Sequence, residues 1–98
     1  MRLKDKVAII TGGSRGIGRA AARRLAHSGY AVCINYRERR DAAEQLCDEL
    51  TAAGCRAMTW QADVADASAV GAMANAVREA FGPISLLVSN AGIAWQMQ

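Results

Sequence analysis

Apolar and polar positions alternate along this chain in blocks that repeat about every 25 residues. Four short runs, rich in apolar and β-branched residues, predict buried strands at residues 6–11, 31–36, 56–61 and 84–89. Between them, apolar residues recur at three- and four-residue spacing, which predicts helices at residues 16–28, 39–53 and 67–81. The pattern therefore predicts strands and helices in strict alternation.

Residues that begin or end helices support these boundaries. Gly29 and Gly54 follow the first two predicted helices and can adopt the left-handed conformation that closes a helix. Asp66 precedes the third helix as a candidate N-cap. Gly82 and Pro83 end that helix, because proline cannot continue the helical hydrogen bonds.

Alternating strands and helices predict the α/β class, with a parallel sheet and right-handed crossovers. The continuous apolar run Leu86-Leu87-Val88 suits a parallel strand that is buried on both faces. We expect a doubly wound sheet with the strand order 3-2-1-4. Its topological switch point then lies between the first and fourth strands, and ligands bind there, outside the carboxyl ends of the strands.

A glycine-rich stretch, Thr11-Gly12-Gly13-Ser14-Arg15-Gly16-Ile17-Gly18, joins the first strand to the first helix. Glycines let the backbone approach a ligand closely, and the helix start offers unpaired N–H groups and a positive dipole end to a pyrophosphate. The glycine spacing differs from the usual Gly-x-Gly-x-x-Gly fingerprint, and Arg19-Ala20 stand where a P-loop needs Lys-Ser/Thr. The stretch predicts phosphate binding; the alternative is a glycine-rich turn without a ligand.

The end of the second strand bears on the choice between two dinucleotides. About 20 residues past the glycines, an acid would bind the ribose 2′-hydroxyl of NAD, whereas an Arg would accept the 2′-phosphate of NADP. The sequence there is Asn35-Tyr36-Arg37, with no acid before Glu38, and Arg15 in the turn can reach the same place. One charge-assisted hydrogen bond contributes about 1.5–3 kcal/mol, so the two guanidiniums favour NADP. The alternative is that residues 37–40 only form the solvated start of a helix.

Two further loops follow the third and fourth strands. Asp63 and Val64 come after the third strand, where a short acid can accept a hydrogen bond from an adenine amino group. The loop Ser89-Asn90-Ala91-Gly92 follows the fourth strand, and its small residues let the backbone approach a ligand in the switch-point crevice. Each loop taken alone could equally be an ordinary turn.

Composition narrows the class of protein. With 98 residues, 52% of them hydrophobic, and a net charge of +3, the chain is at most one small domain with an apolar core. No apolar run approaches the roughly 20 residues that span a bilayer, and the first run is too short for a signal peptide, so we expect a cytoplasmic protein without a membrane partner. Cys33, Cys47 and Cys55 form no Cys-x-x-Cys pair and His27 is the single histidine, so no disulfide or metal site is predicted.

Three of these motifs in combination resemble the classical short-chain dehydrogenase/reductase family: Thr11-Gly12-x-x-x-Gly16-x-Gly18, Asp63-Val64 and Asn90-Ala91-Gly92. The resemblance covers residues 4–93. Within it, Ser14-Arg15 and Asn35-Tyr36-Arg37 look like the NADPH-dependent 3-oxoacyl-carrier-protein reductase branch. The resemblance implies a Rossmann-type dinucleotide-binding domain, of which residues 1–98 form a part. It also implies hydride transfer between NADP(H) and a carbonyl substrate, such as a 3-oxoacyl thioester of fatty acid biosynthesis, and a homo-oligomer for the full-length protein.

The resemblance assigns roles to individual loops. The glycine turn would line the pyrophosphate and adenosine side, the loop after the third strand would hold the adenine, and the loop after the fourth would border the ribose and nicotinamide. The predicted cofactor-binding residues are Gly12, Ser14, Arg15, Gly16, Ile17, Gly18, Tyr36, Arg37, Asp63, Val64, Asn90, Ala91 and Gly92. The family usually has Asn-Asn-Ala-Gly in the last loop, and Ser89 replaces the first Asn with a shorter side chain.

The catalytic residues that the family requires are absent from this sequence. The family uses a Ser and a Tyr-x-x-x-Lys pair, whose Tyr is the general acid; here Tyr30 is followed four residues later by Ile34, and Tyr36 by Arg40. The chain therefore resembles the N-terminal cofactor half of an enzyme well over twice its length. We expect the isolated chain to be inactive and marginally stable or prone to aggregate, because its fourth strand would be an unprotected edge and its apolar sheet faces would lack covering helices.

Two other functions compete with the oxidoreductase. One is a non-catalytic nucleotide-binding module or subunit-interaction fragment, which the gene sequence after Gln98 would distinguish. The other is a nucleic-acid binder, but the net charge is small, few aromatic residues could stack on bases and no recognition motif is present, so we expect no nucleic-acid partner. The arginines that such a binder would use are Arg15, Arg19, Arg23, Arg24, Arg37, Arg39 and Arg40.

Overall fold

Strands and helices alternate through most of the described chain. The computed structural model describes residues 6–14 and 16–89, together with the backbone of residues 94–96. The three helices are α1 (Gly16–His27), α2 (Arg40–Ala52) and α3 (Ala67–Phe81). The strands are β1 (Val7–Ile10), β2 (Ala31–Tyr36), β3 (Ala57–Gln61), β4 (Leu86–Val88) and β5 (Ala94–Gln96). The first four strands and the three helices confirm the predicted elements, with boundaries that differ by at most a few residues.

All strands belong to one sheet with the order β3-β2-β1-β4-β5. The first four strands are parallel, so the α/β class, the doubly wound Rossmann-type arrangement and the order 3-2-1-4 are confirmed. β1 lies in the centre and aligns Ile9 with Cys33 of β2 on one side and with Leu87 of β4 on the other. The switch point therefore lies between β1 and β4, as predicted.

The fifth strand was not predicted. β5 pairs antiparallel with β4, and the register places Ala94 beside Val88 and Gln96 beside Leu86. The expectation that β4 would be an unprotected edge is therefore wrong, because the backbone of residues 94–96 returns alongside it. The expectation failed because this short run carries no strong strand signal of its own and gains its hydrogen bonds from a partner already present.

The two faces of the sheet follow from alternate residues of β1. Ala8 and Ile10 face a core that includes Leu46 and Leu50 of α2 and the small residues of α1. Val7 and Ile9 face the opposite core, with Met73 and Val77 of α3. The helices thus form a layer on each side of the sheet, and each fully buried Leu or Val contributes about 1.5–3 kcal/mol of hydrophobic stabilisation.

Burial falls off away from the centre of the sheet. Every residue of β1 and β2 is buried, whereas Leu86, Leu87 and Val88 of β4 and most of β3 are only half-buried. Within the described ranges, α1 and α2 cover one face and α3 the other, which leaves the β4 region thinly covered. None of the helices that the structure describes is long and apolar enough to cross a membrane.

The predicted helix ends are also present. The Oδ1 atom of Asp66 accepts hydrogen bonds from the backbone N–H groups of Ser68, at 2.9 Å, and Ala69, at 3.2 Å. Gly82 closes α3 with φ of 102°. Asp66 is therefore the N-cap of α3 and satisfies donors that have no partner within the helix.

Helices α1 and α2 are joined on their outer surface by an ion pair. The Nε and Nη2 atoms of Arg23 each donate to a carboxylate oxygen of Glu49 at 2.8 Å. This bidentate hydrogen bond lowers the pKa of Glu49 below its usual value. Arg23 is one of the arginines that a nucleic-acid site would need, and here a carboxylate holds it.

Candidate functional site

The candidate site lies where the carboxyl ends of the parallel strands meet. β1 continues into Thr11, whose backbone N–H donates to the carbonyl of Val88 in β4 at 2.8 Å and whose Oγ1 lies 3.3 Å from the same oxygen. β2 continues into Arg37, and β3 into Ala62 and Asp63. The glycine turn, Arg37 and Asp63 therefore stand at one end of the sheet, as the strand order predicts.

Two glycines of the turn adopt a backbone conformation that other residues rarely enter. Gly12 has φ of 63° and Gly16 has φ of 62°. Gly18 is required for a different reason: a Cβ atom there would lie 2.6 Å from the carbonyl oxygen of Gly12. The first turn of α1 thus packs directly against the backbone that leaves β1, and this close approach produces the Gly12, Gly16 and Gly18 spacing seen in the sequence.

The N-terminus of α1 is suited to an anion. Its first backbone N–H groups have no partner within the helix, and its first turn carries no acidic residue to compensate the positive dipole end. Ser14, two residues before the start of α1, is 6% exposed. Arg15 lies outside the described residues, so its predicted role stays a prediction.

The first half of the turn is fastened to β2 by a single residue. Asn35 accepts the N–H of Gly12 on its Oδ1 atom at 3.2 Å and the N–H of Gly13 on its backbone carbonyl at 3.0 Å. Its Nδ2 atom donates to the carbonyls of Trp60, at 3.3 Å, and Ala62, at 3.1 Å. Both inward-facing amides of the turn are therefore satisfied by protein, which leaves the helix N–H groups for a ligand.

A second anchor holds the other half of the turn. The Nη1 atom of Arg19 donates to the carbonyl of Ser14 at 3.3 Å and to the carbonyl of Ala42 in α2 at 3.2 Å. Arg19 therefore links the turn to the neighbouring helix. Since its guanidinium is engaged in this way, Arg19 also fits poorly with the nucleic-acid hypothesis.

The basic segment after β2 lies beside the loop after β3. The Nε atom of Arg37 is 3.7 Å from the Oδ2 atom of Asp63, and their side chains are 71% and 45% exposed. The carbonyl of Arg37 also accepts a hydrogen bond from Gln61 at 3.1 Å. An exposed guanidinium oriented by a carboxylate can bind a phosphate at this edge.

Tyr36 and Arg40 form a further pair close to Arg37. Tyr36 is only 4% exposed, because its ring packs into the core between the sheet and helices α1 and α2. Its hydroxyl accepts a hydrogen bond from the Nε atom of Arg40 at 3.1 Å, which raises the pKa of that guanidinium. Tyr36 thus orients Arg40, a residue that was not among the predicted cofactor contacts.

Two exposed apolar side chains flank the site. Ile17 is 67% exposed and Val64 is 53% exposed, and they are the exposed large hydrophobic residues among those the structure describes. Both were predicted as cofactor contacts. Large apolar side chains that face solvent beside a glycine turn are typical of a ligand-binding surface rather than of a core.

A mostly apolar cavity of about 350 Å³ opens beside Val64 on the α3 side of the sheet. Ile9 and Leu87 of β1 and β4 line it, as do Thr11 and Ser89, which follow these strands at the switch point. The remaining lining residues belong to α3 and to the loop before β4: Val70, Met73, Ala74, Arg78 and Ile84. The departure of Ser89 from the family pattern therefore lies in the wall of this cavity.

The structure places most of the predicted site residues at this end of the sheet. Gly12, Ser14, Gly16, Ile17 and Gly18 form the turn and the start of α1, while Tyr36, Arg37, Asp63 and Val64 follow β2 and β3. Asn90, Ala91 and Gly92 lie outside the described residues, as does Arg15. Within the described ranges, no group of His, Cys, Asp and Glu side chains could hold a metal ion.

Asn35, Arg19 and Arg40 were not predicted as site residues. Asn35 carried a signal that could have been used, since a polar amide in a strand that is otherwise apolar must find buried partners. Arg19 and Arg40 carried no such signal, because an arginine on a helix is usually solvated.

The chain matches the family described as short chain dehydrogenase over residues 6–98. It is 47% identical over 88 residues to a protein of Staphylococcus aureus named 3-oxoacyl-[acyl-carrier-protein] reductase FabG. The matched residues cover 90% of this chain and 36% of that protein. It is 46% identical over 87 residues to an uncharacterized oxidoreductase, YgfF, of Escherichia coli, covering 89% of this chain and 35% of that one. The chain thus spans little more than a third of the length of these relatives.

Solved structures share the fold at similar identity. A short chain dehydrogenase from Burkholderia cenocepacia in complex with NADP superposes with a TM-score of 0.86 at 47% identity, over 95% of this chain and 38% of that chain. A blue fluorescent protein from a metagenomic library in complex with NADPH superposes with a TM-score of 0.86 at 43% identity, over 95% and 38%. These likenesses extend across nearly the whole of this chain.

Proposed function

Because this chain belongs to the short-chain dehydrogenase family of oxidoreductases, we propose that it forms the NADP(H)-binding portion of an enzyme that transfers a hydride between NADPH and a carbonyl substrate. The observation that carries this proposal is the glycine turn at the switch point, with Arg37 and Asp63 beside it. The nicotinamide cofactor would supply the hydride, and the residues of this chain would bind and orient the cofactor.

The shape of the turn fits a dinucleotide. The space above Gly18 is closed to any side chain by the Gly12 carbonyl, and a Cβ on Gly16 would point into open space. The backbone is therefore bare at the N-terminus of α1, where a pyrophosphate can reach the N–H groups. Ile17 and Val64 offer apolar surface on either side of that position.

The choice of NADP over NAD rests on charge. Arg37 is exposed at the end of β2, and Arg40 is held close by through the Tyr36 hydroxyl. Arg37 lies 3.7 Å from Asp63, and Arg40 lies 3.8 Å from Glu44 within α2. Asp63 follows β3, whereas the carboxylate that selects NAD stands at the end of β2, where this chain has Tyr36 and Arg37 before its first acid, Glu38. NADP- and NADPH-bound structural neighbours support the same choice.

The class of substrate is proposed from the named relatives, since the residues of this chain do not define it. A 3-oxoacyl thioester fits the likeness to the Staphylococcus aureus reductase, and fatty acid biosynthesis in the cytoplasm would then be the setting. A homo-oligomeric full-length protein is part of the same proposal. The 98 residues contain no Tyr-x-x-x-Lys pair, so we propose that the chain alone has no turnover and acts as the nucleotide-binding portion of a larger unit.

One experiment tests the cofactor assignment. NADPH and NADH are titrated against the protein expressed from the complete gene, and binding is followed by the fluorescence of the reduced nicotinamide. We expect NADPH to bind at least about tenfold more tightly than NADH. Equal affinities, or a preference for NADH, would overturn the assignment of Arg37 to the 2′-phosphate.

A second measurement separates the enzyme from a non-catalytic nucleotide-binding module. Consumption of NADPH is followed with a short 3-oxoacyl thioester for the same protein and for residues 1–98 alone. Turnover by the complete gene product and none by the 98 residues supports the proposal. Cofactor binding without turnover by the complete product would favour the non-catalytic module.

A further inference from the structure

Asn35 occupies an unusual position for an amide. It lies near the end of β2, whose sequence Ala-Val-Cys-Ile-Asn-Tyr is otherwise apolar or aromatic, and it is 2% exposed. A buried amide without hydrogen bonds is costly, so such a residue persists where its bonds are needed. Among the described residues, Ser14 and Asn35 are the buried polar ones, and both belong to the candidate site.

The bonds of Asn35 join three separate segments of chain. Its Oδ1 atom and backbone carbonyl accept the consecutive N–H groups of Gly12 and Gly13. Its Nδ2 atom donates to the carbonyls of Trp60 and Ala62, and Ala62 directly precedes Asp63. One side chain therefore fixes the glycine turn on one side and the end of β3 on the other.

We propose that Asn35 is a positioning residue that couples the pyrophosphate end of the cofactor site to its adenine end. The inference rests on the proposed function, since it concerns the same nucleotide. Asn35 holds the Gly12 and Gly13 amides inward, which directs the free N–H groups of α1 outward, and it holds the Ala62–Asp63 segment at a fixed distance from them. A dinucleotide that spans both ends of the site binds tightly only when the glycine turn and the Ala62–Asp63 segment are held at the correct separation.

The chemistry of the side chain explains why an amide is needed. The position requires an acceptor toward Gly12 and a donor toward Trp60 and Ala62, and asparagine supplies both within one short group. A carboxylate at this position would keep an acceptor for the Gly12 N–H. Its second oxygen would replace the Nδ2 donor and would repel the carbonyl oxygens of Trp60 and Ala62. Protonation of that carboxyl would restore a donor.

Asn35→Asp is therefore the informative variant, tested in the protein expressed from the complete gene. Two ligands are titrated: NADPH, which spans both ends, and adenosine 2′-monophosphate, which reaches only the adenine and 2′-phosphate end. At neutral pH we expect NADPH to lose about tenfold or more in affinity, whereas the monophosphate loses less than about threefold. As the pH falls and the introduced carboxyl becomes protonated, NADPH affinity should recover relative to the monophosphate.

Asn75→Asp is the matched control, because Asn75 is exposed on α3 and bonds only to Arg78 among the contacts described. It should leave both affinities and their pH dependence unchanged. Equal losses of both ligands in Asn35→Asp at every pH would show a general loss of structure and overturn the coupling. Unchanged NADPH affinity would overturn it as well.

A measurement on the unaltered protein covers the case in which Asn35→Asp does not fold. Binding of adenosine 2′-monophosphate should slow hydrogen exchange at the amides of Gly12 and Gly13. These N–H groups donate to Asn35 rather than to the ligand, and Asn35 links them to the Ala62–Asp63 segment. Unchanged exchange at these two amides would contradict the proposal. Failure of the unaltered protein to bind either nucleotide would instead contradict the proposed function itself.

Discussion

The guanidinium of Arg37 lies 3.7 Å from the carboxylate of Asp63, so the residues that follow β2 and β3 meet across the end of the sheet. Each was predicted on separate grounds, Arg37 for a 2′-phosphate and Asp63 for an adenine. Their proximity places the two predicted contacts of an adenosine 2′-phosphate in one exposed ion pair. Since both side chains are substantially exposed, the pair itself contributes little to stability and remains available to a ligand.

Replacing Arg37 should change the cofactor preference. We expect Arg37→Leu to weaken NADPH binding about tenfold to a hundredfold and to leave NADH binding within about threefold, because only NADPH carries the 2′-phosphate. Arg39→Leu removes the same charge two residues away, where Arg39 pairs with Asp41 at 3.8 Å, and serves as the control. Parallel titrations of both variants measure the difference. Equal effects of the two changes on NADPH would show that general charge, rather than a specific contact, attracts the cofactor.

Two glycines in helices should respond to alanine in opposite directions. Gly18→Ala places a Cβ atom 2.6 Å from the Gly12 carbonyl, so we expect a loss of about 1–3 kcal/mol in the free energy of unfolding and a loss of NADPH binding. At Gly71 in α3, an added Cβ atom would meet no other atom within 4 Å, and Gly71→Ala should stabilise the protein by about 0.5–1 kcal/mol. Urea denaturation of both variants measures these changes. A neutral Gly18→Ala would mean that the turn and α1 separate more easily than their packing indicates.

The buried thiol of Cys33 should make stability fall at alkaline pH. Burial raises the pKa of Cys33 to about 12, whereas the thiol ionises near pH 9 in the unfolded chain. Between these values the unfolded state binds fewer protons, so the contribution of this group is fully present below about pH 9 and declines as the pH rises toward 12. Denaturation at stepped alkaline pH should show a shallower decline in Cys33→Ala. Identical slopes for the two proteins would refute the assignment.

The same burial should protect Cys33 from alkylation. Cys55 is half-buried before the start of β3, at the end of the sheet away from the candidate site, and provides an internal comparison. Its Sγ atom lies 3.9 Å from Nδ1 of His27. In native protein we expect iodoacetamide to modify Cys55 well before Cys33, as followed by peptide mass spectrometry. Rapid labelling of Cys33 would indicate that β2 opens without global unfolding.

Removing the N-cap of α3 should cost a measurable amount of stability. Asp66→Ala deletes the acceptor for the Ser68 and Ala69 amides, and we expect a loss of about 1 kcal/mol. Asp48→Ala, an exposed carboxylate within α2, changes the charge equally without removing a cap and should have a smaller effect. Thermal melts of both proteins provide the comparison, and equal shifts would assign the effect to net charge instead.

The sequence was sufficient to predict the parallel sheet, its order and the place where the glycine turn, Arg37 and Asp63 come together. Apolar runs at 31–36 and 84–89 marked strands because a doubly covered sheet tolerates few polar residues, and Asp66 and Gly82 marked the ends of α3 by their caps. The glycine turn was recognisable because the close approach of Gly18 to Gly12 admits no other residue. Each of these features depends on residues close together in sequence, so a short stretch of sequence is enough to predict it.

Contacts between distant segments were not predictable in the same way. Asn35, Arg19 and Arg40 act through partners that lie close only after the strands have assembled, and β5 depends on β4 for its hydrogen bonds. Tyr36 illustrates the difference, since the motif located it at the end of β2, whereas the burial of its ring depends on residues from other elements. Position in a motif identified the end of β2 but not which way each side chain points.

The central place of β1 also sets the order in which the molecule can assemble. β1 pairs with β4 through contacts as distant as Val7 with Ser85, whose N–H donates to the Val7 carbonyl at 2.8 Å. Contacts between residues so far apart in sequence close a long loop and form slowly. On a ribosome, β1, β2 and β3 emerge well before β4, so one side of the central strand stays open for seconds at ordinary rates of translation. The crevice that would receive the nucleotide therefore forms only after β4 has emerged, and until then the nascent sheet offers an unpaired strand to chaperones or to other chains.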